Sequence, residues 1–271
     1  MPSPLPDGRG AGKPMPSPLP DGRGADLPGQ ASLPDGRGSD FPGQTALPDG
    51  RGSDFPGGVK AIYARLMRAY GPQHWWPAET ATEVVVGAIL TQNTAWANVE
   101  RAIANLEGAG RLSWPALHEI SEAALAGLIR PSGTFRVKAA RLKAFVNVLY
   151  NEHCGRLEKM LAGPVERARA RLLSIHGIGP ETADAILLYA GERPVFVVDA
   201  YTRRVLRRHR IIAGGASYES IQRVFQESLA PDVGLFNEYH ALLVAVGKKH
   251  CRARARCDGC PLADLPHDAE L

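Results

Sequence analysis

Residues 173–184 read Leu-Ser-Ile-His-Gly-Ile-Gly-Pro-Glu-Thr-Ala-Asp, and residues 197–199 read Val-Val-Asp. Gly177 and Gly179 permit a tight turn because glycine tolerates a positive φ and lets the backbone approach a ligand closely. Pro180 fits the first position of a helix, where its missing N–H costs nothing. The segment therefore predicts a turn that opens into a helix, and the unpaired N–H groups at such a helix start suit a phosphate group.

The acid at the end of the second stretch has two interpretations. Asp199 precedes the segment Ala200–Leu206, which has the pattern of a helix start, so its side chain can cap that helix. A fixed carboxylate can also stabilise positive charge that develops on a reacting group. Both roles can coexist at one residue.

The two stretches together resemble the helix-hairpin-helix plus Gly/Pro-Asp signature of the endonuclease III superfamily of DNA glycosylases, and the resemblance covers residues from about 60 to 260. It implies that the hairpin contacts DNA through Gly177, Ile178, Gly179 and Thr182, and that Asp199 is the catalytic acid. Cleavage of an N-glycosidic bond gives the sugar oxocarbenium character, which a carboxylate stabilises while it orients or deprotonates a water.

The residue two positions after Gly179 restricts the reaction. Bifunctional members of the superfamily carry a lysine here, which attacks the sugar, forms a Schiff base and allows strand cleavage. This chain has Glu181, which cannot form an imine and which also complements the helix dipole. The resemblance thus implies a monofunctional glycosylase without AP-lyase activity, leaving an abasic site.

Candidate residues for a base pocket lie upstream, where three of the four tryptophans fall within 22 residues. In the resembling family, a glutamine at the position of Gln92 fills the gap left by the extruded base. The set Trp75, Trp76, Pro77 and Trp96, with Glu181 in the hairpin, resembles the bacterial 3-methyladenine DNA glycosylase III group more closely than endonuclease III itself. Aromatic walls attract a cationic base, so the favoured substrate is an alkylated purine.

Three cysteines close the chain with the spacing Cys-x5-Cys-x2-Cys, at Cys251, Cys257 and Cys260. Many relatives end in four cysteines that hold a [4Fe–4S] cluster. Here the first gap is one residue shorter, and Pro266 occupies the fourth position. Three explanations stay open: His267 is the fourth ligand, Cys154 reaches in from elsewhere, or the cluster is lost.

The N-terminal 57 residues form a separate region, in which Leu-Pro-Asp-Gly-Arg-Gly recurs with a period of 14 residues. Their few apolar residues cannot build a core, so this region is predicted to be disordered. This region carries a net charge of −2. The whole chain carries +4, so the remaining domain, residues 58–271, carries +6. A basic domain suits a polyanionic partner. Arginines cluster after Asp199 and lysines and arginines again at 248–256, and Arg203 and Lys248 are predicted to bind DNA.

Few segments have strand character, whereas 83–90, 99–106 and 136–149 have helical periodicity. The expected fold is all-α in two lobes, with the catalytic cleft between them. The sequence contains no apolar run of transmembrane length and no signal-peptide pattern. We therefore expect a cytoplasmic, nucleoid-associated monomer that acts on double-stranded DNA and does not enter a membrane.

Three other functions remain compatible with the sequence. One is an endonuclease III-like enzyme for oxidised pyrimidines, which would form a Schiff base. A second is removal of uracil or another base from mispairs. A third is a DNA-binding module that has lost its activity. The presence of Asp199 disfavours this third function, because a hairpin that only binds phosphate does not need that acid.

Overall fold

The computed structural model describes residues 58–75 and 78–270. The predicted disordered region, residues 1–57, lies outside these residues, as do Trp76 and Pro77. Within the described part the regular elements are helices, without a β-strand, which confirms the all-α prediction. The α-helices are α1 (Gly58–Tyr70), α2 (Ala81–Leu90), α3 (Trp96–Gly108), α4 (Trp114–Glu119), α5 (Glu122–Leu128), α6 (Phe135–His153), α7 (Leu157–Met160), α8 (Val165–Leu173), α9 (Pro180–Ala185), α10 (Ala200–Arg208), α11 (Tyr218–Ser228) and α12 (Val233–Lys249).

The helices pack in two groups that share the hairpin region. Helices α2 to α6 contact one another and form one lobe. Helix α1 packs against α11 and α12, and α12 packs against α10, so the two ends of the domain form the other lobe. Helix α9 continues into a π-helical turn, Ile186–Ala190, which contacts both α2 and α12. The hairpin therefore lies where the two lobes meet.

The predicted helical segments lie within the observed helices, because their apolar residues supply the buried faces. Val99, Ile103 and Leu106 of α3 are buried, as the period of 3.6 residues requires. Helix α2 begins after Thr80, whose hydroxyl accepts a hydrogen bond from the Glu83 N–H at 3.2 Å. Asp199 caps α10 as predicted.

A buried lysine fixes the loop between α2 and α3. Lys138 on α6 is 1% exposed, and its ammonium group donates hydrogen bonds to Leu90 O at 2.7 Å, Ser132 O at 2.6 Å and Thr94 Oγ1. Burial, together with the positive charge of Arg141, lowers the pKa of Lys138 to about 8. The three acceptors compensate for the loss of water and anchor the residues on either side of Gln92.

A second buried polar group anchors the hairpin helix. Asp184 on α9 is fully buried and accepts hydrogen bonds from Arg169 Nε at 2.7 Å, Arg169 Nη2 at 3.1 Å and Gln222 Nε2 at 2.8 Å. Arg169 belongs to α8 and Gln222 to α11. The carboxylate therefore ties the hairpin helix to a helix of the other lobe.

Among the described residues, no helix combines the length and the hydropathy that a membrane-spanning helix requires.

Candidate active site

The hairpin turn uses its two glycines differently. Gly177 has φ +85°, a conformation that favours glycine, whereas Gly179 has the ordinary φ of −93° and precedes the first residue of α9, Pro180. Of the two glycines, only Gly177 uses the positive φ that glycine permits. The order of turn, proline and helix is as predicted.

The predicted DNA-gap residue Gln92 is bound to this turn. Its Nε2 group donates to Gly177 O at 3.0 Å and to Thr182 Oγ1 at 2.9 Å, and its Oε1 accepts a hydrogen bond from Arg141. The structure therefore brings Gln92, Gly177 and Thr182 together. The amide nitrogen and the amide oxygen of Gln92 are therefore both hydrogen-bonded within the protein.

We expect Gly177→Ala to lower the free energy of unfolding by about 1–3 kcal/mol. A Cβ atom at this position would lie 2.2 Å from Arg141 Cγ, at a φ that L-residues rarely adopt. Gly179→Ala is the matched control, because a Cβ there meets no atom within 4 Å. Urea denaturation of both variants measures the difference, and equal midpoints would contradict this account of the turn.

The predicted catalytic acid has a hydrogen bond at one oxygen and a histidine near the other. Asp199 Oδ1 accepts the Thr202 N–H at 2.7 Å, and Oδ2 lies 3.6 Å from Nε2 of His240, slightly beyond ordinary hydrogen-bond length. The two side chains are 12% and 7% exposed. Burial alone would raise the pKa of Asp199, but His240 and the Thr202 N–H outweigh it and hold that pKa below its usual value. The carboxylate is ionised and oriented.

Sequence reasoning missed His240 and the residue behind it. His240 lies inside α12, and its Nδ1 atom is 2.5 Å from the Tyr189 hydroxyl. Tyr189 belongs to the π-helical turn, in which Gly191 N donates to Ile186 O across five residues. Such turns recur at functional sites because they redirect a side chain. Neither residue has a sequence signal, since the contact joins positions 51 residues apart.

Glu181 is closer to the candidate catalytic acid than its sequence position suggests. The surrounding protein raises the pKa of Glu181 to about 7, first by burial and then by the negative charge of Asp199, although His240 and Arg203 oppose the shift. Its side chain still reaches the surface. Glu181 and Asp199 thus share one electrostatic site.

The candidate pocket residues Trp75 and Trp96 lie side by side, with ring centroids 6.3 Å apart and planes at 42°. Lys248 places its ammonium group 5.6 Å from the Trp75 ring centroid. Burial lowers the pKa of Lys248, while the charges of Asp199 and Glu100 oppose that shift. Lys248 therefore belongs to the same site as Asp199, which its sequence position did not indicate.

The arginines that follow Asp199 have unequal roles. Arg203 donates to Ala216 O at 2.6 Å, and Arg204 donates to Cys251 O at 3.0 Å. Arg208 is 4% exposed and donates to Arg252 O at 2.6 Å and to Ala253 O at 2.7 Å. Arg208 thus ties α10 to the cysteine segment and is not available for a phosphate, whereas Arg207 and Arg210 are exposed.

The three C-terminal cysteines line one cavity, together with His209, His250 and His267. Arg208 Nη1 donates to Cys251 Sγ at 3.3 Å. Each histidine has its Nδ1 atom next to a backbone carbonyl oxygen, those of Pro266, Arg256 and Leu265 respectively. Cys154 caps the end of α6, is exposed, and is not part of this lining. Among the described residues no three His, Cys, Asp or Glu side chains are close enough to hold a single metal ion.

Comparison with known proteins places these features in a family. Residues 86–231 match the model of the HhH-GPD superfamily of base excision DNA repair proteins. The Methanocaldococcus jannaschii protein MJ1434, named for DNA repair glycosylase activity, is 48% identical over 206 residues, which cover 75% of this chain and 93% of that protein.

Two solved structures share the fold. Helicobacter pylori 3-methyladenine DNA glycosylase bound to 1,N6-ethenoadenine is 28% identical and superposes with a TM-score of 0.58, over 70% of this chain and 95% of the other. A non-covalent endonuclease III–DNA complex superposes with a TM-score of 0.67 at 20% identity, over 77% of this chain and 93% of the other.

Proposed function

Because this chain belongs to the HhH-GPD superfamily of base excision DNA repair proteins, we propose that it is a monofunctional DNA glycosylase that releases alkylated purines such as 3-methyladenine. The observation that carries the proposal is the Asp199 carboxylate, which accepts the Thr202 N–H and lies 3.6 Å from His240, with Lys248 next to both Asp199 and the Trp75–Trp96 pair. The similarity to the Helicobacter pylori 3-methyladenine enzyme supports the choice of substrate.

In the proposed reaction the damaged nucleotide leaves the DNA helix and its base stacks against Trp75 and Trp96. Trp76 and Pro77, outside the described residues, are further pocket candidates by their sequence alone. The Asp199 carboxylate stabilises the oxocarbenium character of the sugar and deprotonates the attacking water. Gly177, Ile178, Gly179 and Thr182 position the DNA backbone, with Arg203 and Lys248 as further phosphate contacts. Gln92 then exchanges its contacts with the hairpin for the gap in the DNA.

Alkylation of a purine at N3 or N7 gives the base a positive charge and weakens the glycosidic bond. A single carboxylate is therefore sufficient for hydrolysis, and a lysine nucleophile is unnecessary. Glu181 supports this proposal because it occupies the position of the nucleophilic lysine and cannot form an imine. Working as a monomer on DNA in the cytoplasm is part of the same proposal.

A second candidate function follows from Lys248. Its ammonium group lies over Trp75, and burial lowers its pKa, which increases the fraction of neutral, nucleophilic amine. Lys248 would then attack the sugar and give an endonuclease III-like enzyme with lyase activity. We favour hydrolysis, because Lys248 has another role as a phosphate contact and the motif position of the nucleophilic lysine holds Glu181.

The test is base release by the full chain from two duplexes, one methylated to carry 3-methyladenine and one carrying thymine glycol, with and without later alkali. We expect release of 3-methyladenine and strand breaks only after alkali. Strand breaks without alkali, together with a borohydride-trapped adduct that Lys248→Gln abolishes, would instead establish the second candidate. Release from neither duplex would contradict the proposed substrate class.

We also propose that the cysteine cavity holds a [4Fe–4S] cluster through Cys251, Cys257, Cys260 and His267. Three thiolates and an imidazole are donor types that iron–sulfur clusters use, and all four residues line this cavity. A single zinc ion, with Zn–S bonds of about 2.3 Å, would draw its ligands close together, whereas a cubane cluster keeps them further apart. The Nδ1 atom of His267 lies 2.8 Å from Leu265 O, a contact that directs Nε2 away from the backbone, as in many metal-bound histidines. The cluster would supply structural cross-linking of the basic C-terminal segment.

We expect His267→Ala to lose most of its iron, and His267→Cys to keep it with a more negative reduction potential, because histidine ligands raise cluster potentials. Iron analysis, visible absorption and potentiometry of the full chain measure both effects. Cys154→Ser is the control and should retain full iron content. Zinc in place of iron in the isolated protein, or unchanged iron in His267→Ala, would refute this ligand set.

A further inference from the structure

The histidine next to Asp199 carries an inference that rests on the proposed glycosylase function. His240 is 6% exposed, and its Nε2 atom is buried without a hydrogen-bond partner within ordinary distance. The polar atom that it faces is Asp199 Oδ2, at 3.6 Å. A buried imidazole nitrogen without a partner lowers the stability of the fold, so its presence calls for an explanation, such as a role at the site.

The tautomer of His240 follows from Tyr189. Burial raises the pKa of Tyr189 well above its usual value, so the hydroxyl keeps its proton and can donate it to Nδ1 of His240. The imidazole proton then lies on Nε2 and points at Asp199. The opposite tautomer would direct the Nε2 lone pair at a carboxylate, which is repulsive.

We propose that His240 is a positioning residue for the glycosylase reaction, which donates from Nε2 to Asp199 Oδ2 and keeps that carboxylate ionised and aimed at the sugar, with Tyr189 fixing the required tautomer. Oδ1 is already held by Thr202 N–H, so the two contacts fix the carboxylate plane. The order of residues is Tyr189, His240 and Asp199, and Trp75 interacts with the Tyr189 hydroxyl at the other end. Trp75, a candidate residue of the base pocket, is thereby connected to Asp199 through Tyr189 and His240.

Other charged and titratable groups also face Asp199. These are Glu181 from α9, Tyr189 from the π-helical turn, Tyr201 from α10, and Lys248 from α12, the helix that also carries His240. An ionised Glu181 disfavours the negative charge of Asp199 and Lys248 favours it, whereas the two tyrosines are protonated and carry no charge. Without His240, the burial of Asp199 would dominate, so its protonated form would become more stable.

The experiment is the pH dependence of single-turnover release of 3-methyladenine from methylated duplex DNA by the full chain, with uncatalysed release subtracted. Wild type should show no acid limb above about pH 5, because Asp199 stays ionised there. In His240→Leu the acid limb should move upward by about one to two pH units. His240→Gln keeps an N–H donor and should restore most of this shift, and Tyr189→Phe should give an intermediate shift.

Leu242→Ala is the matched control, because Leu242 is fully buried on the same helix but two residues from His240, on another face. It should reduce stability and leave the acid limb in place. A titration of the Asp199 carboxyl carbon by NMR, assigned by comparison with Asp199→Asn, gives the same shift without any substrate. An unchanged Asp199 pKa in His240→Leu would overturn the inference, whereas absence of base release by wild type would overturn only the proposed function.

Discussion

Asp199→Asn is expected to lower single-turnover base release by at least about 10²–10³-fold, the range found when one group that stabilises developing charge is removed. The amide has nearly the same shape as the carboxylate, but it is neutral and cannot take a proton from water. Release of 3-methyladenine from methylated duplex DNA measures the effect.

The same substitution should leave the fold intact. Asn is as good a helix cap as Asp, so the hydrogen bond from Thr202 N–H persists and α10 still begins at Ala200. We expect the thermal unfolding midpoint to change little. Asp199→Ala, which removes the cap as well, should lose about 1 kcal/mol of stability in addition to the activity. Wild-type rates in Asp199→Asn would refute the proposed mechanism.

Asp184→Ala is expected to have the largest effect on stability, about 2–4 kcal/mol. The substitution leaves the Arg169 guanidinium and the Gln222 amide without their shared acceptor in the interior. Burial raises the pKa of Asp184 even though Arg169 opposes the shift. The loss of hydration therefore destabilises the carboxylate more than its hydrogen bonds and ion pair stabilise it. Urea denaturation of the full chain, fitted to a two-state transition, gives the change.

Two further variants test the cause. Glu227→Ala removes an exposed ion pair with Arg223, whose side chains are 61% and 72% exposed, and should cost less than about 1 kcal/mol. Replacing the ion pair, in Arg169→Met with Asp184→Leu, should recover much of the loss, because an apolar pair of similar volume needs no hydrogen bonds. The Gln222 amide keeps Phe196 O as an acceptor. If the double variant is no more stable than Asp184→Ala, the loss arises from packing.

The fold and the centre of the candidate site could be predicted because their signals are local. The hairpin, its Pro180 start and the Asp199 cap each depend on residues within a few positions of one another. The helices follow from the period of their apolar residues, as in α3 and α6. Local patterns of this kind persist in the folded chain because the same residues form the turn, the cap and the buried helix faces.

His240, Tyr189 and the position of Lys248 could not be predicted. Their roles depend on how α12 packs against the π-helical turn and α10, which involves residues distant in the sequence. The π-helical turn shifts Tyr189 from the face that a regular helix would give it. Likewise, the sequence suggested phosphate contacts for the arginine cluster, but Arg208 is buried because its guanidinium satisfies backbone carbonyls of a segment more than 40 residues away.

Helix α10 has one further consequence. Asp199 caps its first turn, and Arg208 at its last residue is bound to the cysteine segment. Nine residues at about 1.5 Å each make a rod roughly 13 Å long between the two. Loss of the proposed cluster would free the Arg208 end of this helix, and we expect it to disturb the position of Asp199 at the other end. Base release would then depend on the state of the cysteine segment, although no residue next to the DNA had changed.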